Sequence, residues 1–250
     1  MNGNDNSPQF FRNNFPEWKR KKDPFMLRFF YRPISFYTAS LCAKYGISAN
    51  SVSYASSIVA VIASLLFILP YRWCHVLGGI LISIWMIMDC TDGNLARSVR
   101  KQPYGEFADA MSSYILVGLM CTFMGVCAFF EGGFFISQYW PWIIVIGALA
   151  SSSDSMMRLL YNKFKNTEVM MGFNESNSPT KEKTKMTIIR EFVDEEFGLS
   201  GILPPFILIC AIGGWMDIVV FYCFFYFGFS FVFSAIFLTK KAIDADKKQQ

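Results

Sequence analysis

The stretch MDCTDGNLARSVRKQPYGEFADAMSS, residues 88–113, sets Asp89, Asp92, Arg97 and Asp109 where one apolar run ends and another begins. Charged side chains near hydrocarbon are costly, and those that persist mark functional positions by default. Asp89 and Asp92 are three apart, so they share one helix face. Asp109 starts the next apolar run, and Ser113 stands one turn further on the same face. If the two helices are neighbours, a short loop gathers three carboxylates.

Outward from this junction the sequence predicts six spans, at about 52–70, 76–93, 110–130, 139–157, 200–216 and 217–238. Each approaches the roughly 20 residues that a crossing helix needs. Only a short turn at Gly213–Asp217 divides the last two. The 250 residues are 53% hydrophobic and include 27 Phe, far from the make-up of a soluble domain of this length. The expected class is an all-α integral membrane protein. Six transmembrane helices follow an N-terminal interfacial amphipathic helix.

Lysine and arginine counts orient the spans. With the N-terminus in the cytoplasm, residues 1–50 carry eight, the 97–104 loop three, the 158–199 loop seven and the C-terminus four. Of all 23, only Arg72 falls in an outer turn. Both termini and the 88–113 stretch are therefore expected on the cytoplasmic side. The net charge of +4 then faces anionic lipid and gives no reason to expect nucleic acid. No signal-peptide layout is expected, because the first apolar span begins too late. The seven cysteines show no CxxC pairing and read as buried, inert thiols. Cys74 and His75 share an expected outer turn, where a metal pair is the less favoured reading.

The expected organisation is a cytoplasmic tail and interfacial helix over 1–50, a six-helix domain over 51–240 and a tail over 241–250. Residues 1–23 read as disordered and polar, ending in the solvated run KRKKD. Residues 24–45 read as an interfacial helix broken near Pro33, either a plain anchor or a device that brings Arg32 to an anionic headgroup. A polar cytoplasmic insert occupies about 162–199. Its NESNSPTKEKTK part is turn-like or disordered. Asp194, Glu195 and Glu196 further on read as a solvated face of a short amphipathic helix.

Three unpaired carboxylates repel, and a divalent cation resolves the repulsion. An all-carboxylate donor set suits Mg²⁺, Mn²⁺ or Ca²⁺ rather than zinc. Around it, Gly93 leaves room for a ligand against backbone, Ala96 keeps the helix slim, and Arg97 can fork onto phosphate oxygens. Gly105 allows close helix packing. Metal plus arginine beside a cytoplasmic pocket is equipment for phosphoryl transfer. The structural alternative is a helix-end charge cluster that pairs internally through Arg97 and Arg100.

The order Asp89, Asp92, Gly93, Ala96, Arg97, Gly105, Asp109 resembles the signature of the CDP-alcohol phosphotransferase (CDP-alcohol phosphatidyltransferase) family. The segment RPIS…GISANSVS, with Asn50, is similar to that family's entry into its first span. The resemblance implies six spans, a homodimer and an Mg²⁺ or Mn²⁺ cofactor. It implies transfer of a substituted phosphate from a CDP-linked alcohol or CDP-diacylglycerol to an acceptor hydroxyl, with release of CMP. Asp89, Asp92 and Asp109 become metal ligands, while Gly93, Ala96, Arg97 and Gly105 border the CDP moiety.

The chain departs from the family pattern twice. Seven residues separate Arg97 from Gly105 where eight are usual, and the fourth aspartate is Ser113. That aspartate is generally taken as the base, and a serine hydroxyl is too weakly basic to replace it. Asp154, a lone carboxylate in ASSSDSMMR, is the candidate substitute, with pairing to Arg158 as its structural alternative. Glu106 is a weaker candidate. Arg158, with Lys163 and Lys165 nearby, either contacts an anionic acceptor or is a plain positive flank. The catalytic set is thus expected to be Asp109, Ser113 and Asp154.

The expected function is CDP-alcohol phosphotransfer to a lipid or lipid-linked acceptor, in phospholipid or lipid-linked glycan synthesis, at a bacterial cytoplasmic membrane. The competing class is an inactive CDP-alcohol-binding protein or scaffold. A transporter is disfavoured, because the charges gather at one edge rather than at mid-membrane.

Overall fold

The computed structural model describes residues 6–171 and 196–249. Every regular element among them is helical. They divide into two compact units, whose boundary crosses one long helix between Leu116 and Val117.

The first unit begins with two short helices, α1 (Pro8–Asn13) and α2 (Glu17–Lys22). Ser7 caps α1, its hydroxyl accepting from the Phe10 N–H at 3.2 Å. The expectation of a disordered tail fails for residues 6–23, which form two helices, while Arg20, Lys21 and Lys22 of the basic run are exposed as expected. Phe11 and Phe15 are buried with Phe36, Ala39, Ala49, Val52 and Leu95. Asp23, at the end of the basic run, is buried against Arg32. A sparse set of aromatic residues in a polar segment is enough, because each finds a partner distant in sequence.

A π-helical turn, Leu27–Tyr31, leads without a break into α3 (Arg32–Lys44). Proline lacks the N–H that would bond four residues back, and the wider turn just before Pro33 absorbs that loss. The expected break is therefore a π-turn in a continuous helical path. α3 buries Arg32, Ser35, Phe36, Ala39 and Ser40. It exposes Ile34, Tyr37 and Leu41. An apolar outer face over a partly polar inner face is the reverse of a water-facing helix.

Ser48 caps α4 (Ala49–Leu66), accepting from the Ser51 N–H at 3.2 Å. α4 turns a face of small residues inward, Ser53, Ser56, Ser57, Ala60, Ala63 and Ser64. α5 (Arg72–Ser98) packs along it. A Cβ on Gly78 would stand 3.0 Å from the Ala63 carbonyl, so glycine is what lets these backbones approach. α6 (Gly105–Glu131) follows, its first half in this unit. α5 and α6 continue through the motif well beyond the expected apolar spans.

The expected span 200–216 becomes α8 (Leu203–Gly213), whose eleven residues are closed by Gly214 in the left-handed region at φ +73°. At 1.5 Å per residue α8 reaches only about 17 Å, roughly half a hydrocarbon core. Just before it, Glu196 accepts from the Phe25 N–H at 3.1 Å through both carboxylate oxygens. Glu196 is thus no part of a solvated face. Asp194, Glu195 and the NESNSPTKEKTK stretch lie outside the described residues.

The second unit contains the rest of α6, then α7 (Trp142–Met170) and α9 (Met216–Gln249). α7 runs into the first residues of the expected insert. α7 packs along α9, and Lys241 pairs with Glu168 at 2.7 Å. Asp217, fully buried, accepts from the N–H groups of Phe134 at 3.0 Å and Phe135 at 2.6 Å. A methyl group on Gly133 would overlap that carboxylate. Gly133→Ala therefore expels Asp217 from its two donors, a loss of about 3 kcal/mol. The thermal midpoint of the detergent-solubilised protein is expected to fall by about 6–12 °C.

Among the described residues five helices are long and apolar enough to cross a membrane: α4, α5, α6, α7 and α9. The expected count of six thus meets five such helices and the short apolar α8.

Candidate active site

The site is built in the first unit from α3, α4, α5, the start of α6 and the N-terminal segment. Asp89 and Asp92 lie one turn apart on α5, and Asp109 lies in the first turns of α6. The Asp89 carboxyl is within hydrogen-bonding reach of Asp109. Asp92 is buried and accepts from the Ser53 hydroxyl of α4 at 2.6 Å. Asp109 is exposed and Asp89 half-buried, so the cluster runs from the interior to an accessible edge. Asp89 thus faces Asp109 across the α5–α6 junction, while Asp92 turns to Ser53, and the ligand atoms of the three carboxylates do not all lie within 4.8 Å of one another. Their donor set is all oxygen, as a hard divalent cation prefers.

α3 holds the motif helix through polar contacts. The Thr38 and Thr91 hydroxyls are hydrogen-bonded. Asn94 donates from Nδ2 to the Ser35 hydroxyl at 2.9 Å, and its Oδ1 accepts from Arg97 at 3.0 Å. Arg97 thereby folds back over Gly93, where a Cβ would stand 3.1 Å from two guanidinium nitrogens. The Phe15 ring covers the arginines of both helices, with Arg32 Cζ 4.7 Å and Arg97 Cζ 5.5 Å from its centroid.

The short loop after α5 is tied to the start of α4. Gln102 Oε1 accepts from the Asn50 N–H at 2.9 Å, and a Cβ on Gly105 would meet Asn50 Oδ1 at 3.6 Å. Ser113 is half-buried on α6, one turn beyond Asp109. Its neighbour Ser112 is buried, bonded to the Ser56 hydroxyl at 2.7 Å and accepting from Trp85 Nε1 at 2.8 Å. These bonds fix the rotation of α6 at the motif.

Several contributors were missed in the sequence. Ser53 sits in an ordinary apolar helix pattern. Asp23 and Lys19 sit in a basic run that reads as solvated. Arg32 meets Asp23 through two bonds, from Nε at 2.9 Å and from Nη2 at 3.1 Å, and both side chains are buried. Burial, and then the nearby charges of Arg97 and Arg32, push the Lys19 ammonium below its ordinary pKa, with Asp23 opposing.

The other candidates each have partners of their own. Asp154, buried on α7 in the second unit, accepts from Arg158 Nε one turn on. Glu106 is almost fully exposed and lies 3.9 Å from the Lys101 ammonium. Cys74 and His75 are buried in the first turn of α5 rather than in a loop. His75 Nε2 meets the Leu69 carbonyl at 2.6 Å.

Compared with known families, residues 47–190 match the profile of the CDP-alcohol phosphatidyltransferase family. A comparison with curated proteins finds no match. The matched region starts just before α4 and takes in α4 to α7, including all of residues 88–113, while α1 to α3 lie outside it. Since it also exceeds half of the 250 residues, the chain belongs to the CDP-alcohol phosphatidyltransferase family.

Proposed function

We propose that the chain transfers a substituted phosphate from a CDP-linked alcohol, or CDP-diacylglycerol, to an acceptor hydroxyl at the cytoplasmic face of a bacterial membrane. The observation that carries this reading is Asp89 set against Asp109 at the α5–α6 junction, with Asp92 one turn further along α5 and Arg97 over Gly93. Family membership supports transferase activity and a general dependence on a divalent metal. Asp89, Asp92 and Asp109 would hold Mg²⁺ or Mn²⁺, which when bound neutralises diphosphate charge and polarises the reacting phosphorus. Gly93, Ala96, Arg97 and Gly105 border the donor, with Arg97 on its phosphates.

In the transfer, the acceptor oxygen bonds to the phosphorus that carries the alcohol. The bridging bond to CMP breaks, and CMP leaves with that electron pair. The acceptor's proton must go to a base. Ser113 cannot take it and instead orients the acceptor hydroxyl. Asp154 is the remaining candidate base, and its bond from Arg158 has to be released before it can accept a proton. The lysine and arginine bias supports cytoplasmic termini and a cytoplasmic site. α8 with its preceding turn is the natural sixth crossing. The homodimer and the lipid or lipid-linked acceptor are read from the family alone.

Purified protein in nanodiscs, with Mg²⁺ or Mn²⁺, a panel of CDP-alcohols, CDP-diacylglycerol and membrane lipid extract, is expected to release CMP. A chain that binds CDP with metal and never releases CMP is instead the inactive binder, a reading that Ser113 favours. Within the same site, Ser53→Ala removes the donor to Asp92 and is expected to weaken Mn²⁺ binding about 10–100-fold in a direct titration.

A further inference from the structure

Arg97 is exposed, yet its guanidinium is held by contacts of three kinds. It lies against Gly93, where a Cβ would stand 3.1 Å from two of its nitrogens. Its Nη2 donates to Asn94 Oδ1 at 3.0 Å. Its Cζ is 5.5 Å from the centroid of the Phe15 ring. The Asn94 amide is itself aimed. The Ser35 hydroxyl donates to the Arg32 carbonyl at 2.8 Å, which leaves its oxygen to accept from Asn94 Nδ2 at 2.9 Å. The amide oxygen therefore faces Arg97, a side chain with donors and no acceptor. Ser35 and Asn94 are both buried. The ring is fixed as well. Phe15 is buried with Phe36, Ala39, Ala49, Val52 and Leu95, and it meets Phe36 edge-on at 5.8 Å. It also covers Arg32, but that arginine is already pinned by two bonds to Asp23.

We infer that Phe15 is a positioning residue for the proposed transfer, fixing the direction of the Arg97 guanidinium together with Asn94. Phe15 and Ser35 belong to a segment outside residues 47–190. The N-terminal segment of this chain thus completes the setting of a residue inside the family match. The inference rests on the proposed reading of Arg97 as a contact to the donor phosphates.

An unrestrained arginine spreads over many rotamers, and a phosphate that needs one of them finds it only part of the time. Apparent affinity falls by that fraction. An aromatic ring suits the task. Its face attracts the guanidinium without occupying the N–H groups, so these remain for phosphate oxygens. A carboxylate in its place would hold Arg97 too, but it would take the same donors and cancel the charge.

The test uses the full chain in nanodiscs with Mg²⁺ and measures binding of CDP and of cytidine, with the thermal midpoint alongside. Phe15→Leu is expected to weaken CDP about three- to tenfold and leave cytidine unchanged, as the competent fraction of Arg97 falls. Phe11→Leu, in the same buried cluster, should lower the midpoint and keep the CDP affinity. With Arg97→Lys already present, Phe15→Leu should cost CDP nothing further, since the two positions act as one unit. Wild-type CDP affinity in Phe15→Leu, an equal fall for cytidine, or an equal loss in the Arg97→Lys background overturns the inference. Should Phe15→Leu fail to fold, a polyfluorinated phenylalanine at position 15 replaces it, close in shape and poor in ring-face charge. If the wild-type or the Arg97→Lys chain binds no CDP, labelling of wild-type and Phe15→Leu Arg97 by phenylglyoxal decides, read by mass spectrometry. Faster labelling in Phe15→Leu upholds the positioning role, and equal rates overturn it. A wild-type chain that binds no CDP refutes the proposed function separately.

Discussion

Asp89→Asn reduces CMP release to the level of a protein-free reaction, a loss of at least about 10²–10³-fold. Asparagine keeps the shape of the side chain and can still hydrogen-bond to Asp109, so the fold is expected to survive. The change is in charge. Two carboxylates remain where there were three, and Arg32 and Lys19 still act on the position. A divalent cation is then met by two anions and two nearby cations. Binding of both Mn²⁺ and CDP should be lost together, because the nucleotide's diphosphate shares the metal.

A second readout separates this from damage to the fold. In the absence of metal, Asp89 and Asp109 repel, so the Asp89→Asn protein should melt no lower than the wild type. Saturating Mg²⁺ should raise the wild-type midpoint, since a ligand that binds only the folded state stabilises it. It should leave the variant unchanged. Retained CMP release in Asp89→Asn would show that the three carboxylates are a structural cluster and not a metal site.

The motif carboxylates were legible because a charge inside an apolar run has few structural uses. Their spacing placed Asp89 and Asp92 on one face, and the short loop set Asp109 against Asp89. The spans were legible from length and apolarity, with one exception. LPPFILICAIG is as apolar as a span, but Pro204 and Pro205 in its first turn fix where the helix starts and Gly214 ends it. Composition measures hydrophobicity and not helix length.

The N-terminal segment was misread for a different reason. Nothing local distinguishes Phe11, Phe15, Lys19 and Asp23 from a solvated basic tail. Their meaning lies in partners up to about eighty residues away, such as Arg97 over Phe15. Ser53 was hidden in the same way. A serine in an apolar helix reads as packing until Asp92 is seen to accept from it. Asp154 was legible as a costly buried carboxylate, and its structural alternative, pairing with Arg158, is what the structure contains.

Ser113→Asp raises CMP release by about 10²-fold, near the lower limit of what a positioned general base contributes. Position 113 follows Asp109 by one helical turn, so the new carboxylate shares its face. The bonds of Ser112 to Ser56 and Trp85 hold α6 in register, so the introduced side chain cannot be turned away by rotation of the helix. Ser113 is half-buried, so its side chain is not enclosed in the core. A fourth anion also changes the metal count. Mn²⁺ titration should show a second, tighter site in Ser113→Asp than in the wild type, because the added carboxylate supplies both charge and ligand atoms. Without metal the same anion adds repulsion, so the variant should melt below the wild type and recover when Mg²⁺ is added. The gain in rate and the gain in metal should appear together. If CMP release instead stays level or falls, the chain already holds its base elsewhere, and Asp154→Asn in the wild-type background should then abolish turnover while leaving Mn²⁺ binding intact.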